Sequence, residues 1–294
     1  MDRAEEVARK IDRVRRHLAV CQAPGLLLRS RANFAWITAG GRSYVDASSQ
    51  TGVGSILITP DRAALLASNI EAPRFVDEEL DGLAFEVAEY PWHVPDPEMA
   101  MARKIAGGDA IEVDPAEVVA LRTPLLPPEI DRYRAHGRRT TELTEAVCRR
   151  IEPGMTEDDV VAMLAEAFAR IGARLPVYLI AADDRIAQRR HPISVGRRIE
   201  RRAMVVVCAE WAGLWMNVTR LVNFEPIDDD LAARHRAVCE IDVTANAATK
   251  PGRTLAEVFA DIVAEYERQG FAEEWRLHHQ GGSTGYSGRD AFAT

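Results

Sequence analysis

The alternation of apolar and polar positions divides the chain into recognisable elements. Val7, Ile11, Val14 and Leu18 recur at helical spacing, so the first segment is a helix with one apolar face. Pro24-Gly25 then turns the chain into an apolar strand at Leu26-Leu27-Leu28. Gly54 to Thr59 and Ala63 to Ser68 predict a hairpin about Pro60-Asp61. A helix from about Ile70 to Leu80, a strand from Leu83 to Ala88, a helix from Pro97 to Ala106 and a strand from Ala110 to Val113 follow. Strands and helices in alternation argue for an α/β domain.

The pattern breaks at Thr123-Pro124-Leu125-Leu126-Pro127-Pro128, where a long helix begins with Ile130, Tyr133, Leu143, Val147 and Ile151 on its apolar side. The expected domains are therefore 1–123 and 124–294. The second contains an internal echo. Pro153-Gly154-Met155-Thr156 opens a helix running to Gly172, and Pro251-Gly252-Arg253-Thr254 opens one running to Gly270. Each has a capping Thr with an acid three residues on, and each follows a long helix, about Glu129 to Ile151 and Asp229 to Thr249. Two related halves are expected. Between them, Met204 to Cys208 and Met216 to Val222 predict a hairpin turning through Ala212-Gly213.

Composition narrows the function classes. The 294 residues suffice for two domains, and the net charge of −8 is spread along acidic helices. No basic cluster is interleaved with aromatics, so nucleic acid is not an expected partner. No apolar run has the ~20 residues of a membrane helix, and Met1 to Glu6 opens an amphipathic helix rather than a signal peptide. No membrane association and a cytoplasmic location are expected. Cys21, Cys148, Cys208 and Cys239 are far apart in sequence and read as small buried hydrophobes rather than a zinc site or disulfides.

Histidine is the side chain best suited to proton transfer near neutral pH. His17, His136 and His235 read as solvent-exposed helix positions, and His93 as part of a packed loop. His191 is held extended by Pro192 just ahead of the central hairpin. His278-His279 precede Gln280-Gly281-Gly282 and Gly285-Tyr286, a turn whose glycines let backbone approach a ligand beside two imidazoles.

Together, Pro128-Glu129-Ile130, the Pro-Gly-Met-Thr-Glu run at 153 to 157, His191-Pro192, Asn217-Val218-Thr219-Arg220 and the His279 glycine turn resemble the creatinase, prolidase and Xaa-Pro aminopeptidase superfamily. The resemblance covers nearly the whole chain. It implies an α/β N-terminal domain followed by an α+β pita-bread domain of two related halves, and a homodimer. The superfamily's peptidases hold two metal ions with two Asp, one His and two Glu. The resemblance puts Val206 and Asn217 at the Asp positions and His279 at the His position. Both Glu fall beyond Thr294, so the second half is expected to be completed by a longer natural chain or by another subunit. Glu210, seven residues before Asn217, is expected on the opposite face of the hairpin.

No metal cofactor is therefore expected, with Mn2+ or Co2+ as the alternative. Creatinase, which hydrolyses a C–N bond without metal, has a catalytic histidine that matches His191. By that resemblance His191 and His279 are the expected catalytic residues, with His278, Asn217, Arg220 and Tyr286 binding a small-molecule or short-peptide substrate. A non-catalytic peptide- or protein-binding module is the principal alternative, with a metal-dependent aminopeptidase or a small-carboxylate lyase as further ones.

Overall fold

The computed structural model describes residues 1–293, and Thr294, the end of the second expected domain, lies outside the described residues. The chain divides into two units, residues 1–137 with 210–215 and residues 138–209 with 216–294.

In the first unit, helix α1 (Arg3–Cys21) buries Val7, Ile11, Val14 and Leu18, the four positions of its apolar stripe, and Asp2 caps its N-terminus. Strand β1 (Leu26–Ser30) leads directly into α2 (Arg31–Ile37), for which Ser30 is the cap. Strands β2 (Thr51–Ile58) and β3 (Ala63–Ser68) form the expected hairpin. The predicted helix over 70–80 is broken: α3 is only Ala72–Arg74, and Phe75–Glu79 continues as a π turn. Strand β4 (Glu86–Tyr90) lies parallel to β3, helix α4 (Pro97–Ala106) follows, and β5 (Glu112–Val113) lies parallel to β1. Helix α5 is Glu117–Arg122.

The sheet order is β4-β3-β2-β1-β5. Its middle strands are buried on both faces, and Leu27, Leu57, Ala64 and Leu66 pack with Ala102 of α4. Double-sided burial is why these strands read as unbroken apolar runs.

Helix α6 (Pro127–Cys148) carries residues of both units. Its buried stripe includes Glu129, His136, Thr140 and Thr144, whereas Ile130 is 36% exposed. His136 is therefore not the solvent-facing residue expected: it is fully buried, its ring 6.1 Å from that of Trp211. Val147 and Ile151 are buried as the apolar pattern predicts, but nearer the helix N-terminus the buried stripe is polar, and there pattern alone misplaces the inward face. His93 is exposed rather than packed. Of the cysteines, Cys148 is buried and Cys208 half-buried, but Cys21 and Cys239 are exposed, and all four are free thiols.

In the second unit, α7 (Glu157–Ala169) begins with a capping box in which Thr156 and Asp159 satisfy each other's backbone amides. Strand β6 (Arg174–Ala182) and short helix α8 (Arg185–Gln188) follow, and then strands β7 (Arg202–Trp211) and β8 (Leu214–Asn223) complete a sheet of order β6-β7-β8. Helices α9 (Asp229–Ala248) and α10 (Leu255–Arg268) pack through Ile241, Ala248, Val258 and Ile262. Thr254 and Glu257 give α10 the same capping box as α7. The chain then makes a 3-10 turn at Glu274–Leu277 and a two-residue pairing of β9 (Gly282–Ser283) with β10 (Ala291–Phe292). Among the described residues no helix is long and apolar enough to cross a membrane.

Candidate active site

His191 stands in the loop between α8 and β7, and that loop is held by one buried carboxylate. Glu157, at the first turn of α7, accepts from the backbone N–H groups of Ala182 (3.0 Å), Val195 (2.9 Å) and Arg197 (3.4 Å), and from the Arg185 guanidinium. Arg185 in turn donates to the Ile193 carbonyl at 2.7 Å. A carboxylate with this many donors fixes the backbone on both sides of His191. The sequence marked Glu157 only as part of a helix start; its role needs the loop to fold back, which no local pattern encodes.

The glycine turn is held by Gln280. Its side-chain N–H2 donates to the carbonyls of His278 (2.7 Å) and Trp275 (2.9 Å), and its oxygen accepts from the Tyr266 hydroxyl at 2.9 Å. Gly282 is obligatory, because a Cβ there would lie 1.8 Å from the Ala291 carbonyl oxygen across the β9–β10 pair.

These supports bring three imidazoles together. His278 Nε2 lies 3.0 Å from His191 Nε2, and the His278 and His279 ring centroids are 4.1 Å apart. The hydrogen bonds assign the tautomers. His278 Nδ1 is 2.7 Å from the His279 carbonyl, which can only accept, so His278 carries its proton on Nδ1. Its Nε2 lone pair then accepts from Nε2–H of His191, which leaves the basic lone pair of a neutral His191 on Nδ1. His279 packs edge-on against Phe292, ring centroids 5.1 Å apart. Burial first, then electrostatic coupling to His278, Arg289 and His191, which disfavours a further positive charge in the cluster, lowers its pKa below the ordinary histidine value. Arg289 also bears on the Cys208 thiol, which burial pushes up.

A pocket of about 180 Å³ adjoins the cluster, lined by His278, Arg190, Arg234, Tyr266, Phe271 and Ile241 among others. Arg190 is 3.7 Å from Glu274 and Arg234 2.9 Å from Asp230, both pairs at the surface.

The other expected site residues have surroundings of their own. Arg220 donates through Nη2 and Nε to Glu145 Oε1 at 2.8 and 3.2 Å, holding that carboxylate below its usual range. Asn217 is exposed, on the opposite face of β8 from Arg220. Tyr286 is buried, with 3% of its surface accessible.

The hairpin turns through Ala212 and Gly213, both at positive φ (51° and 78°), the geometry of a two-residue type I′ turn. Such a turn pairs Trp211 with Leu214 and therefore places even-numbered residues of β7 on the face of odd-numbered residues of β8. This corrects the expectation for Glu210: it shares a face with Val206 and Asn217. Its carboxylate accepts from Arg31 Nη2 at 3.1 and 3.3 Å, and burial, opposed by Arg31, raises its pKa.

The donor set does not fit a dinuclear metal centre. Val206 offers no ligand atom, and Asn217 only a neutral amide where a bridging carboxylate is needed. Among the described residues, the one group of three His, Cys, Asp or Glu side chains close enough to share an ion is His17, Cys21 and Glu112, in the first unit.

The family model for metallopeptidase family M24 matches residues 131–290. No curated protein matches the sequence closely enough to count as a relative. Among solved structures, the fold is similar to an Xaa-Pro dipeptidase from Bacillus anthracis, with a TM-score of 0.74, 16% identity, and 98% of this chain and 86% of that one covered. It is similar to a prolidase from Pyrococcus horikoshii OT3, with a TM-score of 0.74, 17% identity and coverage of 96% and 83%. The N-terminal domain of the FACT complex subunit SPT16 from Eremothecium gossypii has a TM-score of 0.65 at 9% identity, with coverage of 98% and 83%.

Proposed function

This chain belongs to metallopeptidase family M24, of pita-bread fold, and on that premise we propose that it hydrolyses C–N bonds in small amino-acid-like or short-peptide substrates, using histidine rather than bound metal. The observation that carries this reading is the 3.0 Å contact between His191 and His278 beside a pocket of about 180 Å³. In the proposed reaction His191 Nδ1 takes a proton from water as its oxygen attacks the carbon of the scissile C–N bond. The resulting imidazolium is stabilised through Nε2–H by the His278 lone pair, and it passes the proton to the departing nitrogen as that bond breaks. His279, kept neutral, and Arg289 supply polar contacts for the oxygen that gains charge. Arg190 and Arg234 suit a substrate carboxylate. The same proposal takes the protein to be a cytoplasmic homodimer without nucleic-acid or membrane partners.

The test is a screen of dipeptides, amides and guanidino compounds with chelator-stripped protein. Turnover should survive stripping, and His191→Ala should lower kcat by about 10²- to 10⁴-fold. Activity lost on chelation and restored by Mn2+ or Co2+ would overturn the metal-free mechanism.

A non-catalytic binding module is the second reading, favoured by the loss of ligand chemistry at Val206 and Asn217. It requires that His191→Ala leave affinity for a bound peptide or protein unchanged while no substrate in the screen is turned over.

A further inference from the structure

His17 and Cys21 stand four residues apart in the last turns of α1, so their side chains leave the same face of the helix. Glu112 faces them from β5, the edge strand beside β1, where its backbone N–H is held by the Gly25 carbonyl at 3.1 Å. His17 Nε2 lies 3.1 Å from Glu112 Oε2 and 3.6 Å from Cys21 Sγ. The three ligand atoms all fall within 4.8 Å of one another.

The His17–Glu112 and His17–Cys21 separations match two edges of a coordination tetrahedron, and because Cys21 Sγ also lies 3.7 Å from His17 Nδ1, a side-chain rotation that brings Sγ to the Nε2 side completes the third. Zinc bonds of about 2.0 Å to nitrogen and oxygen and about 2.3 Å to sulfur give a nitrogen–oxygen edge of about 3.3 Å and a nitrogen–sulfur edge of about 3.5 Å. An ion could therefore enter with little backbone movement. Accessibility is also suitable: the His17 and Glu112 side chains are 12% and 29% exposed, and Cys21 is open to solvent.

We propose that His17, Cys21 and Glu112 form a zinc site with its fourth position open to water or an exogenous ligand. Thiolate and imidazole donors select zinc over magnesium or calcium, whose sites are built from oxygen. Bound there, the ion ties the C-terminal end of α1 to the edge of the five-stranded sheet, so metal and fold of this unit are linked. The site stands independently of the histidine cluster and of the reaction proposed for it.

The competing explanation is a hydrogen-bonded His17–Glu112 pair with Cys21 as a bystander. The chain carries its own control, because His235 and Cys239 repeat the same spacing on α9, Nδ1 to Sγ 3.9 Å, and no third ligand joins them among the described residues. The full chain, stripped of metal, is titrated with Co2+ and followed by absorption. Thiolate-to-cobalt charge transfer and strong ligand-field bands of tetrahedral symmetry should saturate at one equivalent and disappear on adding Zn2+. Cys21→Ser should remove the charge-transfer band, His17→Ala and Glu112→Gln should lose tight binding, and Cys239→Ser should change nothing. Circular dichroism checks the fold of each variant. Absence of a thiolate band in the unaltered chain, or its persistence in Cys21→Ser, overturns the site.

Discussion

The Nε2 atoms of His191 and His278 lie 3.0 Å apart, the separation of a hydrogen bond that takes one proton. Because the His279 carbonyl claims the Nδ1 proton of His278, the bridging proton belongs to His191. Long-range 1H–15N correlation spectra at neutral pH should show His278 as the Nδ1–H tautomer and His191 as the Nε2–H tautomer. His278→Ala should release His191 from this tautomer and reduce kcat by less than His191→Ala does. Finding His191 protonated on Nδ1 in the unaltered protein would remove the general base from the proposed reaction.

Neither partner of that contact announced the other in the sequence, since 87 residues separate them. Legible instead were elements with one wet and one dry face: α1, the β7–β8 hairpin and the two capped helices α7 and α10. Helix α2 was not legible, because Asn33 through Ile37 are all buried and no alternation marks them. For the same reason a buried His136 read as a surface residue. Single histidines could be flagged by their proline and glycine neighbours, but the carboxylate that positions the His191 loop, Glu157, acts through long-range folding, and Arg289 reaches His279 only through the pairing of β9 with β10.

Lys10 is fully buried, with its ammonium 2.6 Å from Glu6, 2.9 Å from Glu129 and 2.6 Å from the Trp36 carbonyl. Burial pushes its pKa down, opposed by Glu129 and Glu6. Arg132 adds a second cation on Glu6, so two positive charges balance two negative ones. Lys10→Met leaves an excess buried carboxylate and should cost about 3–5 kcal/mol in urea unfolding. Lys10→Met with Glu129→Gln restores the balance and should be less destabilised than the single variant. Additive losses in the double variant would mean that the two residues act separately.

At the hairpin tip, Ala212 adopts φ 51°, a conformation that disfavours any side chain with a Cβ by about 1–2 kcal/mol. Gly40, itself at φ 107°, packs against it so closely that a Cβ there would lie 3.0 Å from the Ala212 Cβ. Ala212→Gly relieves the backbone cost at the expense of unfolded-state entropy, for a net gain of about 1 kcal/mol or less. Gly40→Ala should destabilise on both counts. Denaturant midpoints of the two variants test this, and a less stable Ala212→Gly would show that the Ala212 methyl contact outweighs the strain.

His279 gives the chain a pH dependence whose direction is fixed by its surroundings. Burial, then electrostatic coupling to His278, Arg289 and His191, lowers the pKa of the folded imidazole from the ordinary histidine value of about 6.5. The unfolded chain takes up a proton as the pH falls through that value, while folded His279 does not. Over that window the unfolded state binds more protons, so this group makes stability fall as the solution becomes more acidic. Urea midpoints measured from neutral to mildly acid pH should fall more steeply in the unaltered protein than in His279→Asn. Arg289→Gln should be intermediate, since it removes one of the positive charges but not the burial. Because other groups titrate in the same range, the difference between variant and unaltered curves is the quantity that matters. Identical slopes would mean that His279 protonates as readily in the folded state as in the unfolded one, and the neutral imidazole that the proposed oxyanion contact relies on would be lost.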